Sequence, residues 1–205
     1  MRPVTSLEVV AVAFGIVSVY LSVKERIASW PTAIVNVLLY FLIFREQKLY
    51  AAMGLQLVYA GISAYGWYNW LFGGARQTRL KVSRTPRPEG LLLAVLGVSF
   101  ALGMGTLLSR HTDDALPYVD SALTAGSLCA MWMMSRKYLE NWALWILLDV
   151  AYMTLFLSRG LHLTTFLYAV FLILAARGHV EWSRSWRTAR AEGADGASDH
   201  VGAQG

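Results

Sequence analysis

ALWILLDVAYMTLF, residues 143–156, is an oily run with a single carboxylate, Asp149, at its centre. If the run spans a bilayer, that acid costs roughly 2.5–3.5 kcal/mol on insertion scales unless it faces a cavity or a partner. The reading therefore turns on whether the rest of the chain is built in the same way. It is. Of 205 residues, 56% are hydrophobic and 15% are charged, and the mean hydropathy is +0.45. Apolar stretches approaching the roughly 20 residues a span requires recur at about 7–23, 27–44, 49–72, 90–109, 116–134, 142–158 and 160–180. Lipid offers backbone groups no hydrogen-bond partner, so such stretches must be helical. The sequence predicts an all-α membrane protein with seven spans.

A net charge of +5 and a pI near 9.5 raise the question of nucleic acid. The distribution of the charge answers it. With seven spans, one side receives five of the 18 basic residues: Arg2, Arg45, Lys48, Arg110 and Arg159. The other thirteen fall in the turns at 24–26 and 136–137, in the loop at 76–87, and at 177–190. This asymmetry is the positive-inside pattern, which places the N-terminus outside and the C-terminus in the cytoplasm. No nucleic-acid partner is expected; the partner surface is membrane lipid. The first span has neither a basic leading region nor an A-x-A site and reads as a true span rather than a signal peptide. Cys129, alone in its type, forms no internal disulfide and reads as a small hydrophobe.

Residues 73–89, GGARQTRLKVSRTPRPE, form a basic loop that divides the chain. Residues 184–205, small and polar, read as a disordered cytoplasmic tail. A shift of 112 residues superposes Trp30 on Trp142, Tyr40 on Tyr152, Phe44 on Phe156 and Leu49 on Leu161. It also superposes Ala64 on Ala176, Gly66 on Gly178 and Trp70 on Trp182. The shift maps 7–72 onto 116–180 and leaves 90–109 as a linker helix, a 3+1+3 pseudo-repeat. Parallel repeats are a transporter device, with the site near the midplane between the halves.

Trp142, Trp145, Asp149 and Tyr152 stand at i, i+3, i+7 and i+10 on one face of the sixth span. Gln56, Tyr59 and Ser63 repeat that spacing in the third span; Asn36 and Tyr40 stand at i, i+4 in the second; Thr164, Thr165 and Tyr168 lie in the seventh. Singly, each could be an interhelical hydrogen bond, and Asp149 a register device. Together, on a common axis, they make a cavity of amides, hydroxyls, aromatic faces and one carboxylate. The aromatic stretches YGWYNW (65–70) and HVEW (179–182) read as anchors at the cytoplasmic interface.

No phosphate-binding loop occurs, so ATP does not drive the chain directly. The histidines at 111, 162, 179 and 200 lack metal-ligand spacing, and no Ser/His/Asp set is evident. Neither enzymatic activity, metal nor cofactor is expected. No Lys or Arg lies in a span interior, so a substrate phosphate would have no cationic partner at midplane. A cationic or neutral aromatic solute with hydroxyls fits, its ring against Trp and Tyr.

RKYLENWALWILLDV (136–150), followed by LTTFLY (163–168), resembles the second half of the PnuC-type nicotinamide riboside transporters. NVLLYFLIFREQKLYAAMGLQ (36–56) leading into YGWYNW resembles the first half, and DSAL (120–123) the start of the fifth span. The resemblance covers about 20–185. It implies a SWEET-like fold of two three-helix bundles and a linker helix, a homotrimer, and a bacterial inner-membrane location. It further implies facilitated diffusion of nicotinamide riboside, with trapping by a cytoplasmic riboside kinase. By motif position it carries Asn36, Gln56, Asn141, Trp142, Trp145, Asp149, Thr164 and Tyr168 as cavity residues. Tyr40, Tyr59 and Tyr152 rest on the helical-face argument alone. Thiamine or another vitamin as substrate, and a proton symporter using Asp149, remain open alternatives.

Overall fold

The computed structural model describes residues 6–113 and 115–202. They form seven α-helices: α1 (Ser6–Val23), α2 (Ser29–Glu46), α3 (Tyr50–Phe72), α4 (Arg87–His111), α5 (Pro117–Ser135), α6 (Asn141–Ser158) and α7 (His162–Gly202). Helices α1, α4, α6 and α7 as far as Ala191 are long and apolar enough to cross a membrane. The other three fall short on hydropathy because they carry residues such as Asn36, Gln56, Asn69 and Asp120 among their apolar neighbours. An enclosed helix face accommodates such groups where lipid would not.

The 112-residue offset reappears in the backbone. Glu25 and Lys137 turn α1 into α2 and α5 into α6 with φ of 52° and 59°. Lys48 and Gly160 turn α2 into α3 and α6 into α7 with φ of 58° and 71°. Positive φ is uncommon outside glycine, so four such turns in two offset pairs are a strong local signature. The closing hydrogen bonds match as well: Leu49 N–H donates to Phe44 C=O and Leu161 N–H to Phe156 C=O, both at 2.9 Å.

Six helices close a ring. α1 packs on α2 and α7, α2 on α3, α3 on α5, α5 on α6, and α6 on α7, while α4 packs on α5 from outside. Moving each ring helix to its counterpart, α1 to α5, α2 to α6 and α3 to α7, turns every one of these contacts into another. α4 leaves Leu91, Leu92, Val95 and Leu96 more than half exposed, a surface suited to lipid. The ring has a basic end, carrying the turns at 24–28 and 136–140 and the 73–86 connection, and an opposite end.

Two features at the basic end go beyond the sequence expectations. α7 runs past residue 180 as far as Gly202, through most of the segment expected as a tail, and 203–205 lie outside the described residues. The reason is packing that composition conceals. Trp182 is fully buried, and Trp186 packs on the same core. Arg84 and Arg190 lie 4.8 and 5.5 Å from the Trp186 ring. Strong helix formers (Arg and Ala among residues 187–191) carry the backbone on.

The basic loop is likewise a fastened strap. Ser83 N–H donates to Lys137 C=O at 3.2 Å, and Leu139 N–H to Ser83 C=O at 2.9 Å. The Thr85 amide and hydroxyl both donate to the Glu140 carboxylate, at 2.9 and 2.8 Å. Val82 sits in the core with Val23, Trp70, Leu139 and Trp182. An alternation of apolar and basic residues (Leu80, Val82 against Arg79, Lys81) thus points one set inward and the other outward.

Candidate functional site

Asp149 occupies the middle of α6 and is 4% exposed. None of the ion pairs among the described residues includes it. One turn on, Tyr152 meets Tyr168 of α7 with ring centroids 4.8 Å apart, and its hydroxyl lies 3.5 Å from Ser127 of α5. Tyr168 lies in one neighbourhood with Tyr152, Asp149, Tyr40 of α2 and Tyr59 of α3. Five helices thus bring a carboxylate, Tyr40, Tyr59, Tyr152, Tyr168 and Ser127 into one mid-chain cluster. Stacking holds the rings in place: Phe156 lies 5.9 Å from Tyr152 and 5.3 Å from Tyr168. Chemically this is one anion and a set of hydroxyls on aromatic faces.

The other expected residues have different settings. Asn36 donates its amide to Ala11 C=O at 2.7 Å, and Gly15 leaves the space beside that amide; it ties α2 to α1. Asn141, fully buried at the start of α6, donates to Tyr138 C=O, while its Oδ1 meets no partner. Trp145 packs against both the basic-end core and the Leu123–Ala130–Leu148 cluster, bridging them. Gln56 and Thr164 are half-buried, nearer the opposite end than the tyrosine cluster.

Trp142 belongs to a second constellation, at the basic end. Trp30 meets Trp70 edge-on at 5.3 Å and 89°, and Trp142 meets Trp182 edge-on at 5.4 Å and 89°. Trp70 and Trp182 touch each other at 5.7 Å. Trp70 Nε1 donates to Met134 C=O at 3.1 Å and Trp182 Nε1 to Ser22 C=O at 3.0 Å. Gly66 and Gly178 admit the indoles of Trp30 and Trp142, since a Cβ at either would run into the ring. Every one of these features recurs at the 112-residue offset. The anchor reading of 65–70 and 179–182 is therefore corrected for Trp70 and Trp182, which are buried at 2% and 0%. Trp67 and Tyr68 of the same stretch are exposed.

Sequence reasoning passed over Ser127 and Trp30 as functional residues, although the superposition of Trp30 on Trp142 was a usable signal. It also passed over a polar clamp joining α3, α4 and α5. Tyr65 stacks on Trp132 at 5.2 Å, Arg136 donates to Tyr65 at 3.0 Å, and Trp132 and Tyr138 donate to Glu89 at 3.1 and 2.6 Å. Hydrogen bonds to Tyr138 and Tyr65 push the Arg136 guanidinium further toward its protonated form. Burial, then the bond to Glu89, pushes the Tyr138 hydroxyl up from its ordinary value.

The family model described as "Nicotinamide mononucleotide transporter" matches residues 5–184. The chain belongs to this PnuC-type transporter family. It is 30% identical over 210 residues to the nicotinamide riboside transporter PnuC of Escherichia coli, covering 88% of this chain and 86% of that one. It is 26% identical to the riboflavin/roseoflavin transporter RibM of Streptomyces davaonensis, over 86% of this chain and 84% of that one. A crystal structure of the vitamin B3 transporter PnuC superposes with a TM-score of 0.71 at 25% identity, covering 91% of this chain and 84% of that chain. The chain is thus a multi-pass membrane transporter of PnuC type.

Proposed function

We propose that this transporter imports nicotinamide riboside. The observation that carries the reading is the tyrosine cluster: Asp149 has no basic partner among the described residues and lies near Tyr152 and Tyr168, with Tyr40 and Tyr59 also in the neighbourhood of Tyr168. A pyridinium riboside is complementary to it. The cationic ring faces Asp149 and the tyrosine rings, and the ribose hydroxyls exchange hydrogen bonds with the tyrosine hydroxyls and Ser127. Two relatives named for the riboside, one in Escherichia coli and one in Neisseria mucosa, support the same substrate.

The movement follows a 3+1+3 plan in which α1–α3 and α5–α7 are repeats and α4 links them. Support comes from the offset turns, the paired tryptophans and the exchangeable ring contacts. Rocking one unit against the other exposes the cluster alternately to each side. The basic end faces the cytoplasm and the N-terminus lies outside, in accord with the charge asymmetry. Transport is facilitated diffusion across a bacterial inner membrane, by a homotrimer, with phosphorylation by a cytoplasmic kinase retaining the product and feeding NAD synthesis.

Saturable binding of nicotinamide riboside to the purified protein is expected, without competition from nicotinamide mononucleotide, whose phosphate finds no cation in the cluster. Tight binding of the mononucleotide would overturn the reading. A second reading is favoured by the riboflavin/roseoflavin relative: a neutral, larger ring system would use the tyrosines and not Asp149. Asp149→Asn separates the two, since it weakens riboside and spares riboflavin. Thiamine, also a cationic aromatic, belongs in the same competition series. Uptake that collapses with the proton gradient would instead make Asp149 a proton carrier.

A further inference from the structure

We infer that Glu25 and Lys137, with Trp70 and Trp182 above them, form the gate that closes the transport pathway at the basic end. The inference rests on the proposed pathway between the two halves, though its first test below does not depend on the substrate.

The argument is geometric. If a rotation relates residue i to residue i+112, a residue that touches its own counterpart lies on the rotation axis. Two such pairs are in contact. The Lys137 ammonium is 2.8 Å from the Glu25 carboxylate, and the Trp70 and Trp182 rings are 5.7 Å apart. Both pairs sit at the basic end. Trp70 and Trp182 are also held crosswise, each donating to the other half through Met134 or Ser22. A solute leaving the tyrosine cluster along the axis toward this end meets first an indole layer and then an ionic one.

Charge makes the ionic layer a latch rather than a coincidence of loops. A rotation axis sets equivalent positions face to face, so identical charges there would repel. Here one copy carries Glu and the other Lys. Lys137 is 7% exposed and is committed to three partners at once: Glu25, the strap carbonyl of Leu80 at 3.0 Å, and the Trp70 ring at 4.8 Å. Glu25 and Lys137 both hold positive φ, so each projects from the tip of a tight turn. Beyond them opens a groove of about 710 Å³ lined by Lys24, Arg79, Lys81, Glu181 and Arg184, the vestibule into which the gate would discharge. Glu181 is paired there with Lys24 at 2.7 Å, which leaves Glu25 to Lys137.

The test is accessibility. A cysteine placed at the fully buried Ser63, in a Cys129→Ser background, is labelled by a membrane-impermeant thiol reagent from the basic side. Glu25→Lys should raise the labelling rate by roughly tenfold, the effect of turning a partly buried attraction into repulsion. The swap Glu25→Lys with Lys137→Glu should return it to the parental rate. An unchanged rate in folded Glu25→Lys, or no recovery in the swap, would overturn the gate. Should the charge variants fail to fold, Glu25→Cys with Lys137→Cys, bridged by a short bifunctional thiol reagent, replaces them. Bridging should abolish nicotinamide riboside counterflow and cleavage of the bridge restore it, whereas counterflow through the bridged protein would overturn the gate. If unbridged protein carries no riboside, the substrate reading fails, and the gate is decided by labelling of the Ser63→Cys thiol before and after bridging: slower labelling supports it and an unchanged rate overturns it.

Discussion

Asp149 shows how much a single residue can disclose and where it stops. Its position in an apolar run makes it the first candidate for a functional residue, because a mid-membrane acid is costly to keep. Which groups surround it depends on four other helices, and spacing along α6 cannot supply them. The same limit explains Trp142. Periodicity sets it on the Asp149 face, yet the structure lays it over Gly178 and against Trp182, two turns toward the basic end. Asp149→Asn is expected to weaken nicotinamide riboside binding at least tenfold, since a hydrogen bond or contact to a charged group is worth roughly 1.5–3 kcal/mol. Titration calorimetry on purified protein checks this; unchanged affinity would reduce Asp149 to a helix-register device. Gly178→Ala should cost about 1–3 kcal/mol through overpacking against Trp142. Gly66→Ala should do the same against Trp30, and thermal unfolding of both variants reads the effect.

Helices were legible because each is a long apolar run closed by a turn signal, so the expected spans and observed helices agree to within a few residues at most boundaries. The connections were not. The strap at 79–85 looks like a solvated basic loop, and only Leu80 and Val82, spaced by two, hint that one side of it is buried. The extension of α7 hides in a polar segment because Trp182 and Trp186 supply packing that average composition dilutes. Glu140 is the strap's fastening point, accepting from Thr85 twice. Glu140→Ala should free the strap, detected as faster proteolysis between residues 79 and 85 with the helices intact. The clamp at Tyr138 adds a pH dependence. Its folded pKa is raised, so its contribution is fully present below the ordinary tyrosine value near 10 and is lost as pH rises through the folded value. Thermal stability should therefore fall above about pH 10, less so in Tyr138→Phe, as a melting series would show.

At the scale of the whole molecule, six helices close a ring with touching tryptophans at its basic end and a cluster of tyrosines near its middle. The 112-residue offset was legible from Trp30, Gly66 and Trp70 against Trp142, Gly178 and Trp182. Its physical meaning was not, because sequence identity cannot say that Trp70 and Trp182 touch. On the proposed reading, the ring's contents select the substrate: one carboxylate, hydroxyls and aromatic faces, with no lysine or arginine at that depth among the described residues. The most direct test is calorimetric binding of nicotinamide riboside to the purified protein, followed by displacement with nicotinamide mononucleotide, thiamine and riboflavin. Saturable riboside binding that the mononucleotide does not displace is predicted. Silence toward the riboside with saturable binding of riboflavin or thiamine, or displacement by the mononucleotide, would contradict the account.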